Sequence, residues 1–136
     1  MISVVVDASV AVKWFLHEDR SDEAIRILEQ DYHFIAPSFL KLEFDSVLGK
    51  WNRSGRLEIS KSKEIRKLFS GIYIHYVAEE TISSLAFEYS SFLPITFYDA
   101  LYLSIAKVYN CTMVTYDKNL ISAVAGTDLE NHLSEP

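Results

Sequence analysis

The stretch PITFYDALYLSIAKVYNCTMVTYDKNL, residues 94–120, carries the clearest structural pattern in the sequence. From Thr96 onward its apolar side chains recur at helical spacing, which predicts a helix. Asn110 is a candidate left-handed residue at the end of that helix, and the short apolar segment after it predicts a buried strand. Two acids mark the boundaries of this unit, because Asp99 lies in the first turn of the helix and Asp117 follows the strand.

Other short strands and helices alternate along the rest of the chain. Strands are predicted at 2–6, 33–36 and 72–77, and helical patterns follow each of them. This alternation predicts a single α/β domain, with a parallel central sheet of four or five strands and helices on both faces. The domain is expected to span residues 1–130, and the polar residues 131–136 are expected to form a flexible tail.

Length and composition are those of one globular domain. The chain has 136 residues, of which 49% are hydrophobic and 24% are charged, and a chain of this length can bury a full core without disulfides. The single cysteine, Cys111, has no internal disulfide partner, which fits a reducing compartment. No signal peptide or membrane-spanning apolar stretch is apparent. We therefore expect a cytoplasmic protein that does not associate with a membrane.

The charge distribution is uneven. A net charge of -6 argues against a protein that wraps nucleic acid over its whole surface. Basic residues are concentrated between Lys50 and Lys67, however, and a local basic patch can bind phosphates on an acidic protein. A solvated helical face explains the same pattern equally well. The candidate phosphate-binding residues are Lys50, Arg53, Arg56, Lys61 and Lys63.

Four acids occupy positions that can converge in a parallel sheet. Asp7 follows the first strand and Asp117 follows the fourth, while Asp99 opens the helix between the third and fourth strands. Glu43 lies in the apolar stripe of a helix after the second strand, for which Ser38 is the predicted N-cap. Ligands of open α/β sheets bind outside the carboxyl ends of the strands. Clustered carboxylates there would take up protons or a hard cation such as Mg²⁺ or Mn²⁺.

Each acid also has a structural explanation. Asp7 and Asp117 can cap the helices after them, and Asp99 forms a T-x-x-D capping arrangement with Thr96. Glu43 is the hardest to explain in this way, because a glutamate in an apolar stripe must find a partner or become neutral. Three polar side chains near the acids could orient them or could form local caps. They are Ser9, Thr115 and Asn119.

Three segments together resemble the PIN-domain family, in particular the VapC-type toxins of toxin–antitoxin pairs. They are VVVDASVAVKW (4–14), IAPSFLKLEFDSVL (35–48) and FYDALYLSIAKVYNCTMVTYDKNL (97–120). The resemblance covers nearly the whole chain and implies an Mg²⁺- or Mn²⁺-dependent endoribonuclease. It further implies a homodimer, an RNA substrate and inhibition by a cognate antitoxin protein. The metal ligands and catalytic residues implied by the resemblance are Asp7, Glu43, Asp99 and Asp117.

One position departs from the family pattern, a second lies where the family varies, and two other function classes stay open. Ser46 stands where many members carry Asn, and the bulky Tyr116 precedes the last acid, where it could change how substrate enters. A receiver-like phosphoacceptor domain has a similar sheet, but here the first strand ends in the single acid Asp7 instead of an acidic pair. A PIN-like binding module without catalysis would keep the fold and the partner but need bind no metal.

Overall fold

A five-stranded parallel sheet forms the centre of the molecule. The structure is a computed structural model and describes all 136 residues. The strands run in the order β3–β2–β1–β4–β5, and every neighbouring pair is parallel. Their bounds are β1 Ile2–Val6, β2 Tyr32–Pro37, β3 Ile74–Val77, β4 Thr112–Val114 and β5 Leu133–Ser134. The predicted α/β class is confirmed, with five strands.

Helices cover both faces of the sheet. Side chains alternate between the two faces along a strand, and Val4, Val5 and Val6 of β1 are all buried, so neither face of β1 is open to solvent. No helix is long and apolar enough to span a lipid bilayer. The seven helices are α1 Ala8–Ala11, α2 Ser21–Glu29, α3 Leu40–Arg53, α4 Ile59–Ser70, α5 Ser83–Phe92, α6 Phe97–Val108 and α7 Lys118–Ala123.

The middle of helix α6 is buried around its whole circumference. All residues from Ala100 to Ala106 are buried, as expected for a helix that is apolar on every side, and α6 packs against β1, β2 and β4. The hydroxyl of Thr96 caps its start by accepting a hydrogen bond from the backbone N of Asp99 (3.0 Å). Asn110, just beyond its end, has a positive φ of 50°. The predicted start and end of this helix are confirmed.

The chain terminus is part of the sheet, so the prediction of a flexible tail at 131–136 is wrong. Leu133 and Ser134 form β5, which pairs with Met113 and Val114 of β4. The side chain of Leu133 is buried in the core. A strand of two residues is too short to show the alternation by which strands are predicted, and its neighbours are polar. Only the tertiary position beside β4 makes it a strand.

The start of α3 also differs from the prediction. Ser38 does not cap the helix, which begins at Leu40. Its hydroxyl instead donates to the carboxylate of Glu79, with a distance of 2.7 Å to Oε1, and the same Oε1 accepts a hydrogen bond from the backbone N of Phe39 (2.9 Å). Glu79 lies just after β3, so an acid distant in sequence satisfies the amide of Phe39 at the start of α3.

Candidate active site

Asp7 lies where β1 ends and α1 begins. Its Oδ1 accepts hydrogen bonds from Oγ of Ser9 (2.6 Å) and from the backbone N of Val10 (3.2 Å), so this acid does cap α1. Its Oδ2 accepts a hydrogen bond from Oγ1 of Thr115, the residue after β4. The same Thr115 hydroxyl accepts a hydrogen bond from the backbone N of Asp117 (3.2 Å). One buried hydroxyl therefore joins the carboxyl ends of β1 and β4.

Glu43 reaches this region from α3. Its Oε1 accepts a hydrogen bond of 2.5 Å from the hydroxyl of Tyr102 on α6. The ring of Phe39, at the start of α3, packs edge-on against the Tyr102 ring with 5.2 Å between centroids. No basic side chain lies within ion-pair distance of Glu43. The salt bridge that would explain this glutamate structurally is therefore absent.

The remaining two acids belong to the α6–β4–α7 unit. Asp99 is partly buried in the first turn of α6. Asp117 is exposed just beyond β4 and caps α7, because its Oδ1 accepts a hydrogen bond from the backbone N of Leu120 (3.1 Å). Burial raises the pKa of Asp99, the Thr96 hydroxyl lowers it, and the charge of Asp117 raises it further. Asp99 and Asp117 are therefore within electrostatic range of each other.

The other pKa shifts connect the acids into one group. Burial is the main cause that raises the pKa of Asp7; hydrogen bonds from Ser9, Thr115 and Val10 oppose it, and the charge of Asp99 adds to it. Burial likewise raises the pKa of Glu43, against the hydrogen bond from Tyr102, and the charges of Asp7 and Asp99 raise it further. Asp7, Glu43 and Asp99 therefore repel one another directly. Asp117 belongs to the same group because its charge acts on Asp99.

The chemistry of this group fits a hard divalent cation. None of the six ion pairs in the molecule includes any of the four acids, so no protein cation offsets their repulsion. Carboxylate oxygens are the ligands that Mg²⁺ and Mn²⁺ prefer. As the side chains stand, no three His, Cys, Asp or Glu residues have the spacing of a formed metal cage. The structure brings suitable donors into one region without showing a coordination shell.

The supporting residues predicted from sequence divide into two groups. Ser9 and Thr115 both donate to Asp7, as expected. Asn119 is exposed in the first turn of α7, and its side chain forms no hydrogen bond within the protein. Ser46, where many family members carry Asn, is also exposed. The hydroxyl of Tyr116 donates to the backbone O of Arg20 (3.0 Å), and this contact turns the ring toward α2.

The predicted phosphate-binding residues have different surroundings in the structure. Lys50 lies seven residues beyond Glu43 on α3, about 10 Å along the helix axis. The guanidinium of Arg56 stacks over the ring of Trp51, 3.8 Å from the ring centre. Nζ of Lys61 forms an ion pair with Oε2 of Glu64 at 3.3 Å. The remaining two members of the set are Arg53, exposed at the end of α3, and Lys63, which lines a separate cavity beside α3.

One residue of the site, and one residue that holds the start of α3, were missed from sequence. Tyr102 lies three residues after Asp99, so the two side chains share a helix face, and this spacing could have identified Tyr102 as part of the site. Glu79 had no such signal, because only the packing of the β3–α5 connection against α3 brings it to Phe39.

Comparison with known proteins identifies the family. A sequence model of the PIN domain matches residues 4–126, nearly the whole chain. The chain belongs to the PIN-domain family. This membership confirms the resemblance seen in the three segments and removes the receiver-like hypothesis. The PIN fold also explains why acids after β1 and β4 lie near acids on α3 and α6, since the parallel sheet places these elements at one edge.

Individual known proteins are similar to this chain over most of their length. Ribonuclease VapC3 of Pyrobaculum aerophilum is 27% identical over 123 residues, which cover 88% of this chain and 92% of the relative. The solved structure of Mycobacterium tuberculosis VapC20, described as a sarcin-ricin loop cleaving toxin, has a TM-score of 0.70 at 14% identity and covers 98% of this chain and 99% of its own. A toxin-antitoxin complex from Klebsiella pneumoniae has a TM-score of 0.65 at 12% identity, with 98% and 97% covered.

Proposed function

We propose that this PIN-domain protein is a divalent-metal-dependent endoribonuclease and the toxin of a VapC-type toxin–antitoxin pair. The observation that carries the proposal is the set of contacts that links the four acids. Thr115 joins Asp7 to Asp117, and Tyr102 joins Glu43 to the helix that carries Asp99. No ion pair neutralises any of the four. The similarity to a ribonuclease over 88% of the chain supports the reaction class. The proposed catalytic residues and metal ligands are Asp7, Glu43, Asp99 and Asp117.

Each acid would have a different role around Mg²⁺ or Mn²⁺. A bound divalent ion would supply Lewis-acid stabilisation of the negative charge that develops on the phosphate. Asp7 is the most firmly oriented ligand, because both of its oxygens accept hydrogen bonds within the protein. Glu43 is held by Tyr102. Asp117 is the most exposed acid and would contribute from the rim.

Asp99 is the acid best placed to accept a proton from the attacking water. Both Asp7 and Glu43 hold defined hydrogen bonds within the site, whereas only the Thr96 hydroxyl lowers the pKa of Asp99. Burial and nearby acids raise the pKa of Asp7, Glu43 and Asp99 alike, so the difference in hydrogen bonding, and not the direction of the pKa shift, distinguishes Asp99. Proton transfer would therefore go from water to an Asp99 oxygen during in-line attack on phosphorus.

A protein partner is part of the same proposal. Structural relatives include a toxin-antitoxin complex, and we expect a cognate antitoxin and a homodimer for this chain too. Large side chains of α5 and α6 are exposed, namely Phe87 at 66% and Tyr98 at 62%. Exposed aromatic patches of this kind are typical of protein interfaces. The α5–α6 surface is therefore the proposed contact region for a protein partner.

Cleavage of total RNA with Mg²⁺, with Mn²⁺ and with chelator tests the enzyme. We expect cleavage by the parent with either ion and none in chelator. The Asp7→Asn and Asp99→Asn variants should bind RNA, keep a native circular dichroism spectrum and fail to cleave. Calorimetry with Mn²⁺ distinguishes the enzyme from a binding module. If the parent neither binds Mn²⁺ nor cleaves RNA, the protein is a non-catalytic PIN module.

A further inference from the structure

A basic cavity lies on the flank of α3 opposite Glu43. It has a volume of about 450 Å³, is open to solvent and is bounded by α3, α4 and β3. Lys41 and Asp45 line it from α3; they are one turn apart and share a face, whereas Glu43 lies two residues from each and points to another side. The cavity is thus separate from the acids, although the same helix carries both.

The cavity concentrates positive charge on an acidic protein. Four cations line it, which are Lys41, Lys63, Arg66 and Lys67, against the single acid Asp45. Asp45 is already paired, because its two oxygens accept hydrogen bonds from Nε (2.7 Å) and Nη2 (3.1 Å) of Arg66. None of the three lysines takes part in an ion pair. Three ammonium groups therefore remain available to an anion.

Tyr76 adds a neutral hydrogen-bond donor. It lies near the carboxyl end of β3 and lines the cavity, and its hydroxyl forms no hydrogen bond within the protein. Burial raises the pKa of Tyr76, so the hydroxyl keeps its proton. The Lys41 ammonium lies 4.5 Å from the centre of the ring, and this cation–π contact places the charge at the cavity wall.

A polyanionic substrate needs such a site. The four acids repel phosphates, so the affinity of the enzyme for RNA has to come from cations elsewhere. Three of the seven basic residues between Lys50 and Lys67 already contact a partner within the protein, since Lys61 and Arg66 pair with acids and Arg56 stacks on Trp51. Lysine ammonium groups bind phosphate as point charges, and a single strand is held by a positive groove along its backbone.

We propose that Lys41, Lys63, Lys67 and Tyr76 form a subsite for backbone phosphates of single-stranded RNA, away from the scissile bond. This inference rests on the proposed ribonuclease function and identifies where the substrate gains its affinity. Because α3 carries both Lys41 and Glu43, a strand bound in the cavity is held in a fixed position relative to the acids. Arg66 remains with Asp45 and shapes the cavity wall without contributing a free charge.

Binding of a fluorescein-labelled single-stranded RNA, followed by anisotropy in chelator over a range of salt concentrations, tests the subsite. The variant is Lys41→Gln/Lys63→Gln/Lys67→Gln, and the control is Arg26→Gln/Lys107→Gln/Lys118→Gln, which has the same net charge. All six side chains are exposed, so neither variant should affect folding. We expect the cavity variant to bind at least about tenfold more weakly, and its salt dependence to fall by about 2 in log–log slope. The control should retain most of the parent slope.

Three outcomes would overturn the subsite. An equal loss of RNA affinity in both variants would show a diffuse effect of net charge. A parent-like salt dependence in the cavity variant would show that these lysines do not contact phosphates. Tighter, cavity-dependent binding of a polyglutamate peptide would assign the cavity to an acidic protein instead. Cleavage by the parent with Mg²⁺ is measured in parallel. If the parent cleaves RNA and the cavity variant binds RNA as the parent does, the subsite is refuted and the nuclease function is not. If binding depends on the cavity but the parent does not cleave RNA, the nuclease function is refuted and the subsite is not.

Discussion

The hydroxyl of Tyr102 on α6 donates a hydrogen bond of 2.5 Å to Oε1 of Glu43 on α3. Burial and the adjacent Glu43 raise the pKa of Tyr102, so the phenol stays protonated and acts only as a donor toward this carboxylate. Glu43 is thereby oriented by a residue fifty-nine positions away along the chain. This contact links the two helices that carry Glu43 and Asp99.

Removal of that donor should weaken catalysis while the fold is kept. In Tyr102→Phe the ring and its packing on Phe39 remain, but Glu43 loses its orienting partner, and loss of such an outer contact at a metal ligand typically costs about 10–100-fold in affinity or activity. RNA cleavage assays measure the loss of activity, and Mn²⁺ calorimetry measures the loss of metal affinity. Tyr98→Phe, an exposed position on the same helix, is the control. Parent-like metal affinity and cleavage in Tyr102→Phe would contradict this role.

Neutralising Asp99 should abolish RNA cleavage and stabilise the metal-free protein. Burial and the charge of Asp117 disfavour the ionised Asp99 carboxyl in the folded state, so Asp99→Asn relieves a repulsion that a cation would otherwise offset. We expect a thermal midpoint several degrees above that of the parent in chelator. With Mg²⁺ the difference should shrink, because the parent gains stability by binding the ion. Asp31→Asn, an exposed acid before β2, should change neither midpoint. A lower midpoint for Asp99→Asn in chelator would argue against repulsion within the site.

Loss of the Glu79 carboxylate should destabilise the fold. This acid accepts hydrogen bonds from the Ser38 hydroxyl and from the backbone N of Phe39 at the start of α3. Glu79→Ala leaves that amide without its partner, and caps of this kind are worth about 1–2 kcal/mol. Urea denaturation measures the change in the free energy of unfolding. The control is Glu80→Ala, at the neighbouring exposed residue. If the two substitutions lower the free energy of unfolding equally, Glu79 has no specific role at the start of α3.

Alanine substitution of two buried serines should change the free energy of unfolding in opposite directions. The hydroxyl of Ser104 in α6 is buried without a hydrogen-bond partner, so Ser104→Ala should raise the free energy of unfolding by up to about 1 kcal/mol. The hydroxyl of Ser62 donates to Oδ1 of Asn52 (2.7 Å), so Ser62→Ala should lower it by about 1 kcal/mol. Urea denaturation of both variants checks the pair. Destabilisation by Ser104→Ala would mean that its hydroxyl does find a partner.

Alkaline pH should destabilise the parent more than a Tyr89→Phe variant. Burial, the hydrogen bond to Asp128 and the charges of Asp128 and Glu88 raise the pKa of Tyr89 from 10.0 to about 12. The folded state therefore holds this proton more tightly, and the associated stability is complete below pH 10 and is lost as the pH rises toward 12. The difference in unfolding free energy between parent and variant should shrink over that interval. A constant difference would show that Tyr89 titrates normally in the folded protein.

Local sequence patterns were sufficient for the class of the fold and for the two ends of helix α6. The unit 94–120 was predicted correctly at both ends, since Thr96 and Asn110 determine helix boundaries through their own backbone and side-chain preferences. Acids that directly follow strands, such as Asp7 and Asp117, are recognisable because parallel strands place their carboxyl ends at one edge. These features depend on neighbours a few positions away, so the sequence alone determines them.

Tertiary packing decided the remaining features, because they arise between residues far apart in the chain. Leu133 and Ser134 become a strand only through pairing with β4, and Glu79 contacts the start of α3 only because β3 lies beside β2. The basic segment appeared continuous in the sequence, but helix geometry and local acids divided it and left Lys63 and Lys67 beside Lys41 in one cavity. Linear order records which charges a chain has, whereas packing determines which of them are neutralised and which remain available to a ligand.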